Sequence, residues 1–311
     1  MKEKYLKILI CPRCKGLLSP HTAILSRKGE IIRGFLKCSC SGYPVLEGIP
    51  ILTNNSASRR VAGFYKKYGA RLSGKEIPFF LFQRNIPNLV IFLTLRTGFF
   101  EKLSLRQFLF VMLLSGGIKP RWFLYLTARA SPSINSAAKL ATASRKVVDL
   151  GCGPGHFLKK IRNNSFNIGV DFNLLNLYLA KKYLSPRSGF VYADLNRPLP
   201  INKKVFDIAI VNDTLHYVRA QKLLGQEISG ILKPKALIFL GHVHNSLAIS
   251  PGSSEYPLTL NKCRELFKGF AMSTYQEAGK YLVPVAVEKS NRLTFLNLFF
   301  SRGIQVPKAF P

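Results

Sequence analysis

The fold the sequence predicts is an open α/β sheet of parallel strands behind a small metal-stapled segment, and three observations carry that reading. The first is the stretch Val147-Val148-Asp149-Leu150-Gly151-Cys152-Gly153-Pro154-Gly155-His156-Phe157, an apolar run that ends in an acid and then in alternately spaced glycines. The second is a series of later apolar runs, each ending in a polar residue. The third is a set of four cysteines at positions 11, 14, 38 and 40.

The glycine stretch reads as strand, tight turn and helix. The β-branched run Lys146-Val147-Val148 suits a buried strand, and Gly151 and Gly153 permit the turn. The lack of side chains there lets a ligand approach the backbone beside a helix N-terminus. The third glycine follows the second after a single residue, so the Gly-x-Gly-x-x-Gly dinucleotide spacing is absent, as is the Gly-Lys-Ser/Thr of a triphosphate loop. NAD and nucleoside triphosphates are both disfavoured.

The following strands are Asn167-Ile168-Gly169-Val170-Asp171, Gly189-Phe190-Val191-Tyr192-Ala193-Asp194-Leu195, and Val205-Phe206-Asp207-Ile208-Ala209-Ile210-Val211-Asn212-Asp213. Asp171 falls about 20 residues past the glycine turn, where a carboxylate can accept two ribose hydroxyls. A single Asp at a strand end is more often a turn or helix cap. Three of them in this spacing behind a glycine turn predict a shared crevice at the carboxyl edge of the sheet. A fifth strand is expected at Ala236-Leu237-Ile238-Phe239-Leu240, then a helix near 259–267 and two antiparallel strands at 270–276 and 281–288.

In these motifs, together with Ala193-Asp194-Leu195-Asn196-Arg197-Pro198-Leu199-Pro200 and Ile231-Leu232-Lys233-Pro234, the chain resembles the class I S-adenosylmethionine-dependent methyltransferases, most closely their small-molecule branch. The resemblance implies a Rossmann-like, seven-stranded methyltransferase sheet, with the two antiparallel strands as its closing hairpin. It also implies S-adenosyl-L-methionine as cofactor. Asp149 and the backbone of Gly151, Cys152, Gly153 and Gly155 would hold the methionine end. Asp171, with Phe172 beside it, would hold the ribose; Asp194 and Leu195 would meet the adenine, and Asn212 would close the site. Cys152 lacks a neighbouring base or metal in the sequence, so its thiol reads as packing. Where the family usually has Lys-Pro-Gly-Gly, this chain has Lys233-Pro234-Lys235-Ala236, a departure in a turn outside the cofactor site.

Cys11-Pro12-Arg13-Cys14 and Cys38-Ser39-Cys40 supply two thiols each, the count for a closed tetrahedral zinc site. Disulfides are the competing reading. Residues 1–9 alternate charge with apolar side chains and have no long apolar core, so a secretory leader is not expected, and a reducing cytoplasm favours metal. The segment, including Gly42-Tyr43-Pro44-Val45-Leu46-Glu47-Gly48-Ile49-Pro50-Ile51-Leu52, also resembles the zinc-ribbon domain of the methyltransferase-activator family. That likeness implies a structural Zn2+ held by Cys11, Cys14, Cys38 and Cys40, with no open position for chemistry.

The expected organisation is therefore a ribbon at 1–53, a linker and apolar helical insertion at 54–132, a methyltransferase domain at 133–289 and a peripheral tail at 290–311. The insertion holds apolar runs at 77–82, 89–95, 108–114 and 122–126, all too short to span a bilayer. A helical cap is the plain reading; a pocket for a greasy substrate and peripheral membrane association are the alternatives. Net charge is +31, with a pI near 10.2. That excess would attract RNA, anionic membrane or acidic ligands, but it is spread along the whole chain and not gathered in an RNA-binding arm.

After the fourth strand the chain reads Asn212-Asp213-Thr214-Leu215, not the Asn/Asp-Pro-Pro-Tyr/Phe of the family's planar-amine enzymes. Paired catalytic cysteines for RNA ring carbons are also missing, because Cys263 sits in an expected helix core. Transfer to O, N or S of a small or lipid-like acceptor is the leading expectation, with RNA as the alternative acceptor and a noncatalytic binding module as a third reading. His216 is the candidate general base, and His242 and His244 share one face at the end of the fifth strand. That pair lacks a third ligand in the sequence, so it is not read as a metal site.

Overall fold

The computed structural model describes residues 1–25, 29–53, 102–114, 118–128, 131–141, 145–163, 166–248 and 255–303. The expected apolar runs at 77–82 and 89–95 lie outside them.

Strands β1 (Ser19–Leu25), β2 (Ile31–Lys37), β3 (Gly42–Leu46) and β4 (Ile49–Pro50) form an antiparallel sheet in chain order, behind a short helix at Glu3–Leu6. The larger sheet has eight strands: β5 (Lys146–Leu150), β6 (Phe166–Asp171), β7 (Gly189–Tyr192), β8 (Phe206–Asn212), β9 (Leu232–His244), β10 (Ala271–Ala278), β11 (Tyr281–Pro284) and β12 (Phe295–Arg302). Their order is β11-β10-β12-β9-β8-β5-β6-β7. Strands β5 to β9 are mutually parallel, and their apolar runs are buried because helices cover both faces. The chain order reverses at β5, which runs between β6 and β8, and the crevice opens at that switch point.

The end of the chain departs from expectation. Residues 290–311 are expected to be a peripheral tail, yet β12 runs between β9 and β10, antiparallel to both. Leu296, Leu298, Phe299 and Phe300 in it are fully buried. The expected hairpin partners do pair, as β10 with β11, but β11 is the outer edge strand and 287–290 is a helical turn. The sheet therefore closes with β12, and β11 makes it eight strands where seven are expected. A hairpin reading pairs neighbours in the sequence, whereas here the strand that reaches β9 comes last.

The ribbon does not stand apart. Leu52 N–H donates to the Tyr192 carbonyl at 2.8 Å, Ile10 N–H to Pro200 at 3.0 Å, and Asn202 N–H to Ile8 at 2.8 Å. Chain at the end of β4 thus covers the free edge of β7 and removes a row of unpaired backbone groups. Tyr5 packs so closely on Gly189 that a Cβ there would lie 2.8 Å from its ring, and Tyr5 also meets Phe166 at 5.1 Å between centroids. Met1, Tyr5, Leu9, Leu36, Tyr43 and Val45 share one buried core with Ile168, Val191 and Ile201.

The described part of the insertion is helical, at Leu105–Leu114 and Pro120–Ala128, followed by Pro132–Leu140 with Ser131 as its N-cap. Phe108, Leu109 and Met112 are buried in the second core with Leu177 and Tyr178, so this helix is part of the domain's packing. No described helix is long and apolar enough to cross a membrane.

Candidate functional site

The glycine turn forms because the backbone demands it. Gly151, Gly153 and Gly155 all have positive φ, at 75°, 52° and 85°. A Cβ on Gly151 would stand 2.2 Å from the Thr214 side chain, and one on Gly155 would stand 2.9 Å from Ala180. Gly151 N–H and Cys152 N–H both donate to the Val170 carbonyl, at 2.8 and 3.1 Å, which ties the turn to β6. Asp171 completes the join: its carboxylate accepts from Gly153 N–H at 2.8 Å and from Asn173 N–H at 2.7 Å. Burial raises the Asp171 carboxyl above its usual range, against the pull of those backbone donors. A carboxylate has about four lone-pair directions, so two remain for a ligand.

A cavity of about 730 Å3 lies over this turn, within the range of small-molecule sites. Gly151, Gly153, Asp171, Phe172, Asp194 and Leu195 line it as the motifs lead one to expect. Asp194 is held by Asn196, whose N–H and amide donate to one carboxylate oxygen at 2.9 and 3.0 Å. Phe172 is exposed and Leu195 buried, giving two apolar surfaces. Asp149, Cys152 and Asn212 sit outside this cavity and line a smaller recess beneath the turn, with Tyr125 and His156. Asp149 is fully buried, and burial followed by the neighbouring Asp171 holds its carboxyl well above the usual carboxylate range. Gly155 lines neither space; its place is set by packing on Ala180.

Residues outside the expected cofactor set form the far wall: Arg121, Trp122 and Tyr125 from helix Pro120–Ala128, whose apolar run has a greasy-substrate pocket among its expected alternatives, and Asp213, Thr214 and Tyr217 after β8. Trp122 and Tyr125, spaced i and i+3 on one helix face, meet edge to face at 5.5 Å between centroids. Among the described residues of the lining, the carboxylates of Asp171, Asp194 and Asp213 outnumber the one cation, Arg121, in a chain of net charge +31. The local field thus favours a ligand that carries positive charge.

His216 does not line the cavity. It is fully buried, and its pKa is pushed down to about 4 by burial and then by His244. Direct contact with an acceptor, as expected of a general base, is therefore not available to it; Asp213 faces the cavity in its place. His216 and His244 stack at 3.6 Å between centroids and 8° between planes. His242 sits beside them on Phe295, at 3.8 Å. Asp213 and His242 both adopt positive φ, 54° each, a conformation L side chains take only when their surroundings hold it.

The four cysteines of the ribbon also converge. Cys11 and Cys40 sulfurs are 3.5 Å apart, Cys38 and Cys40 3.5 Å, and Cys14 and Cys38 3.7 Å. Thiolates on a tetrahedron with metal–sulfur bonds of about 2.3 Å stand about 3.8 Å apart. All four thiols are free, and these separations are far beyond a disulfide bond of about 2.05 Å.

Comparison with known proteins bears on the sheet domain. Residues 148–240 match the family described as "Methyltransferase domain", a stretch shorter than half the chain. A malonyl-[acyl-carrier protein] O-methyltransferase of Legionella pneumophila is 28% identical over 98 residues, covering 30% of this chain and 34% of that protein. The chain thus spans about a third of the curated relative it matches. Among solved structures, a TehB-like SAM-dependent methyltransferase from Corynebacterium glutamicum is 16% identical, covers 58% of this chain and 94% of its own, and has a TM-score of 0.47. A chain of the complex between the Haloferax volcanii Trm112 methyltransferase activator and a methyltransferase is 19% identical, covers 54% of this chain and 88% of its own, and has a TM-score of 0.43. The family match spans β5 to β9, the stretch that carries the glycine turn and the strand ends around the crevice.

Proposed function

We propose that the chain binds S-adenosyl-L-methionine in the 730 Å3 cavity and transfers its methyl group to O, N or S of a small or lipid-like acceptor. The observation that carries this reading is the joining of glycine turn, three carboxylates and an aromatic wall around one space. Asp171 would take the ribose hydroxyls on its remaining lone pairs, with Phe172 and Leu195 on either side of the adenine and Asp194 at its edge. The backbone of Gly151 to Gly153 would face the methionine end, with Asp149 beneath it. The cofactor supplies an electrophilic methyl on a cationic sulfur. The chain's part is to align a nucleophile with it and exclude water, and Trp122, Tyr125 and Tyr217 form the wall that would do so. Asp213 is placed to accept the acceptor's proton where the nucleophile carries one. The partial likeness to an O-methyltransferase supports oxygen as the accepting atom.

The donor set at Cys11, Cys14, Cys38 and Cys40 supports a structural Zn2+ that holds the ribbon against β7. Elemental analysis of protein purified without chelator tests it: reduced, folded protein without zinc would overturn the assignment. Tritiated methyl transfer into a cell extract, fractionated into RNA, protein, lipid and small-molecule pools, tests the acceptor. Label is expected in the organic-soluble or small-molecule pool, and RNase-sensitive label would move the acceptor to RNA.

A further inference from the structure

Five chemistry-bearing side chains from three separate segments meet at the C-terminal ends of β8 and β9, next to the cavity. The potential ligand atoms of Asp213, His216 and His244 lie within 4.8 Å of one another. His244 Nδ1 is 3.0 Å from Glu255 Oε2. With Nδ1–H donated to that carboxylate, His244 Nε2 carries a lone pair, the arrangement in which a carboxylate orients a metal-ligating imidazole. Asp213 Oδ1 stands 3.2 Å from His242 Nδ1 and 3.8 Å from His216 Nε2. His216 supplies an independent observation: it is fully buried, and neither ring nitrogen has a hydrogen-bond partner. A buried imidazole with both nitrogens unsatisfied has lost its water without replacement, a cost that a ligand at the ring would offset.

We propose that Asp213, His216 and His244 form a second metal site, for a divalent first-row transition ion, with Glu255 and His242 orienting the ligands. Two imidazoles and one carboxylate select a borderline cation such as Zn2+, Fe2+ or Co2+ over Mg2+ or Ca2+, which take oxygen donors. The stacked rings put an ion shared by both nitrogens out of either ring plane, so a turn of one ring about its Cβ–Cγ bond accompanies binding. Three protein ligands leave a coordination position open, and Asp213 lies on the cavity wall. Through Asp213, the one of the three ligands that lies on the cavity wall, an ion there would fix the segment after β8 and take the Asp213 carboxylate out of use as a proton acceptor. That effect on transfer rests on the proposed methyltransferase reading; the binding of the ion does not.

The test uses the full chain with its ribbon metal in place and Co2+ as the probe. A thiolate site gives intense sulfur-to-cobalt charge-transfer absorption, whereas a nitrogen and oxygen site gives only weak visible bands, so the two are read separately. The parent is expected to bind about one equivalent of Co2+ without thiolate absorption, beyond any at the ribbon. His244→Ala and His216→Asn should each abolish that equivalent, and Glu255→Gln should weaken it by about 10–100-fold. Retained binding of S-adenosylhomocysteine shows that a variant is folded. A parent that takes up no such equivalent, or a folded His244→Ala or Glu255→Gln variant that binds Co2+ as tightly as the parent, overturns the site. Loss of methyl transfer in all variants with unchanged Co2+ binding would likewise overturn it. Co2+ binding with no transfer in the parent would keep the metal site and reject the methyltransferase reading.

Discussion

The two sides of the cavity are built in opposite ways. The glycine side comes from one continuous stretch, 149–155, joined to the end of the next strand by Asp171. The opposite side is assembled from helix Pro120–Ala128 and the segment after β8, which are far apart in the chain. The first is fixed by backbone geometry, in which positive φ and close approach leave glycine the only residue that fits. The second is fixed by side chains whose meeting depends on the whole sheet being in register. On the proposed function, the cofactor would sit against the rigid local side and the acceptor against the assembled side.

The largest effect should come from the metal proposed for the ribbon, outside both sides. Because Tyr5, Leu36 and Tyr43 share a core with β6 and β7, loss of the ribbon metal should unsettle the sheet domain as well as the ribbon. Cys14→Ser is expected to lower Tm of the whole chain by roughly 10 °C or more in a single transition by calorimetry. Two separate transitions, with the sheet domain's unchanged, would show that the ribbon is an independent unit.

On the glycine side, Gly151→Ala places a Cβ against Thr214 on a backbone of positive φ. Affinity for S-adenosylhomocysteine should drop at least about 100-fold, or about 2.7 kcal/mol, in a titration. Asp171→Ala removes both a ligand group and the acceptor of Gly153 N–H, and should cost about 30-fold, near 2 kcal/mol. If either variant binds as the parent does, the assignment of the turn is wrong.

On the assembled side, Trp122→Ala should raise KM for the acceptor by about 10-fold and leave cofactor affinity within about threefold. An equal loss in both constants would make the helix part of the cofactor site.

The smallest effect concerns Asp149. Its carboxyl is raised in the folded chain by burial and by Asp171, so its folded pKa exceeds the unfolded one. Such a group favours folding below the unfolded pKa of about 3.9, and that contribution is lost as pH rises through the folded value. At pH 7 the raised pKa is therefore a cost to folding, and Asp149→Asn should raise Tm of the cofactor-free protein by about 2–4 °C while weakening the cofactor. Scans from pH 4 to 8 should show the gain shrinking toward acid; a gain that grows toward acid would contradict the sign.

The same contrast explains how much was legible in the sequence. Strands β5 to β8 and the crevice could be read because each is a short apolar run ending in a polar residue, and the period of the pattern is local. Asp171, Asp194 and Leu195 line the cavity where the motifs put them. The run at 122–126 reads equally as a cap or as a pocket wall, and only the folded sheet decides that Trp122 and Tyr125 line the cavity; Asp213 escapes because an acid after a strand carries no mark of what it will face. His216 was given a part its burial forbids: the sequence places it after the fourth strand but does not say that its ring turns inward onto His244. Strand β12 was misplaced because an apolar run near the end of a chain does not reveal that it pairs with β9, some fifty residues earlier.

Calorimetric titration of the full chain with S-adenosylmethionine tests the central claim most directly. About one equivalent should bind per chain, displaced by S-adenosylhomocysteine and unaffected by NAD or ATP. A flat titration with S-adenosylmethionine, or saturable heat with NAD or ATP in its place, would contradict it.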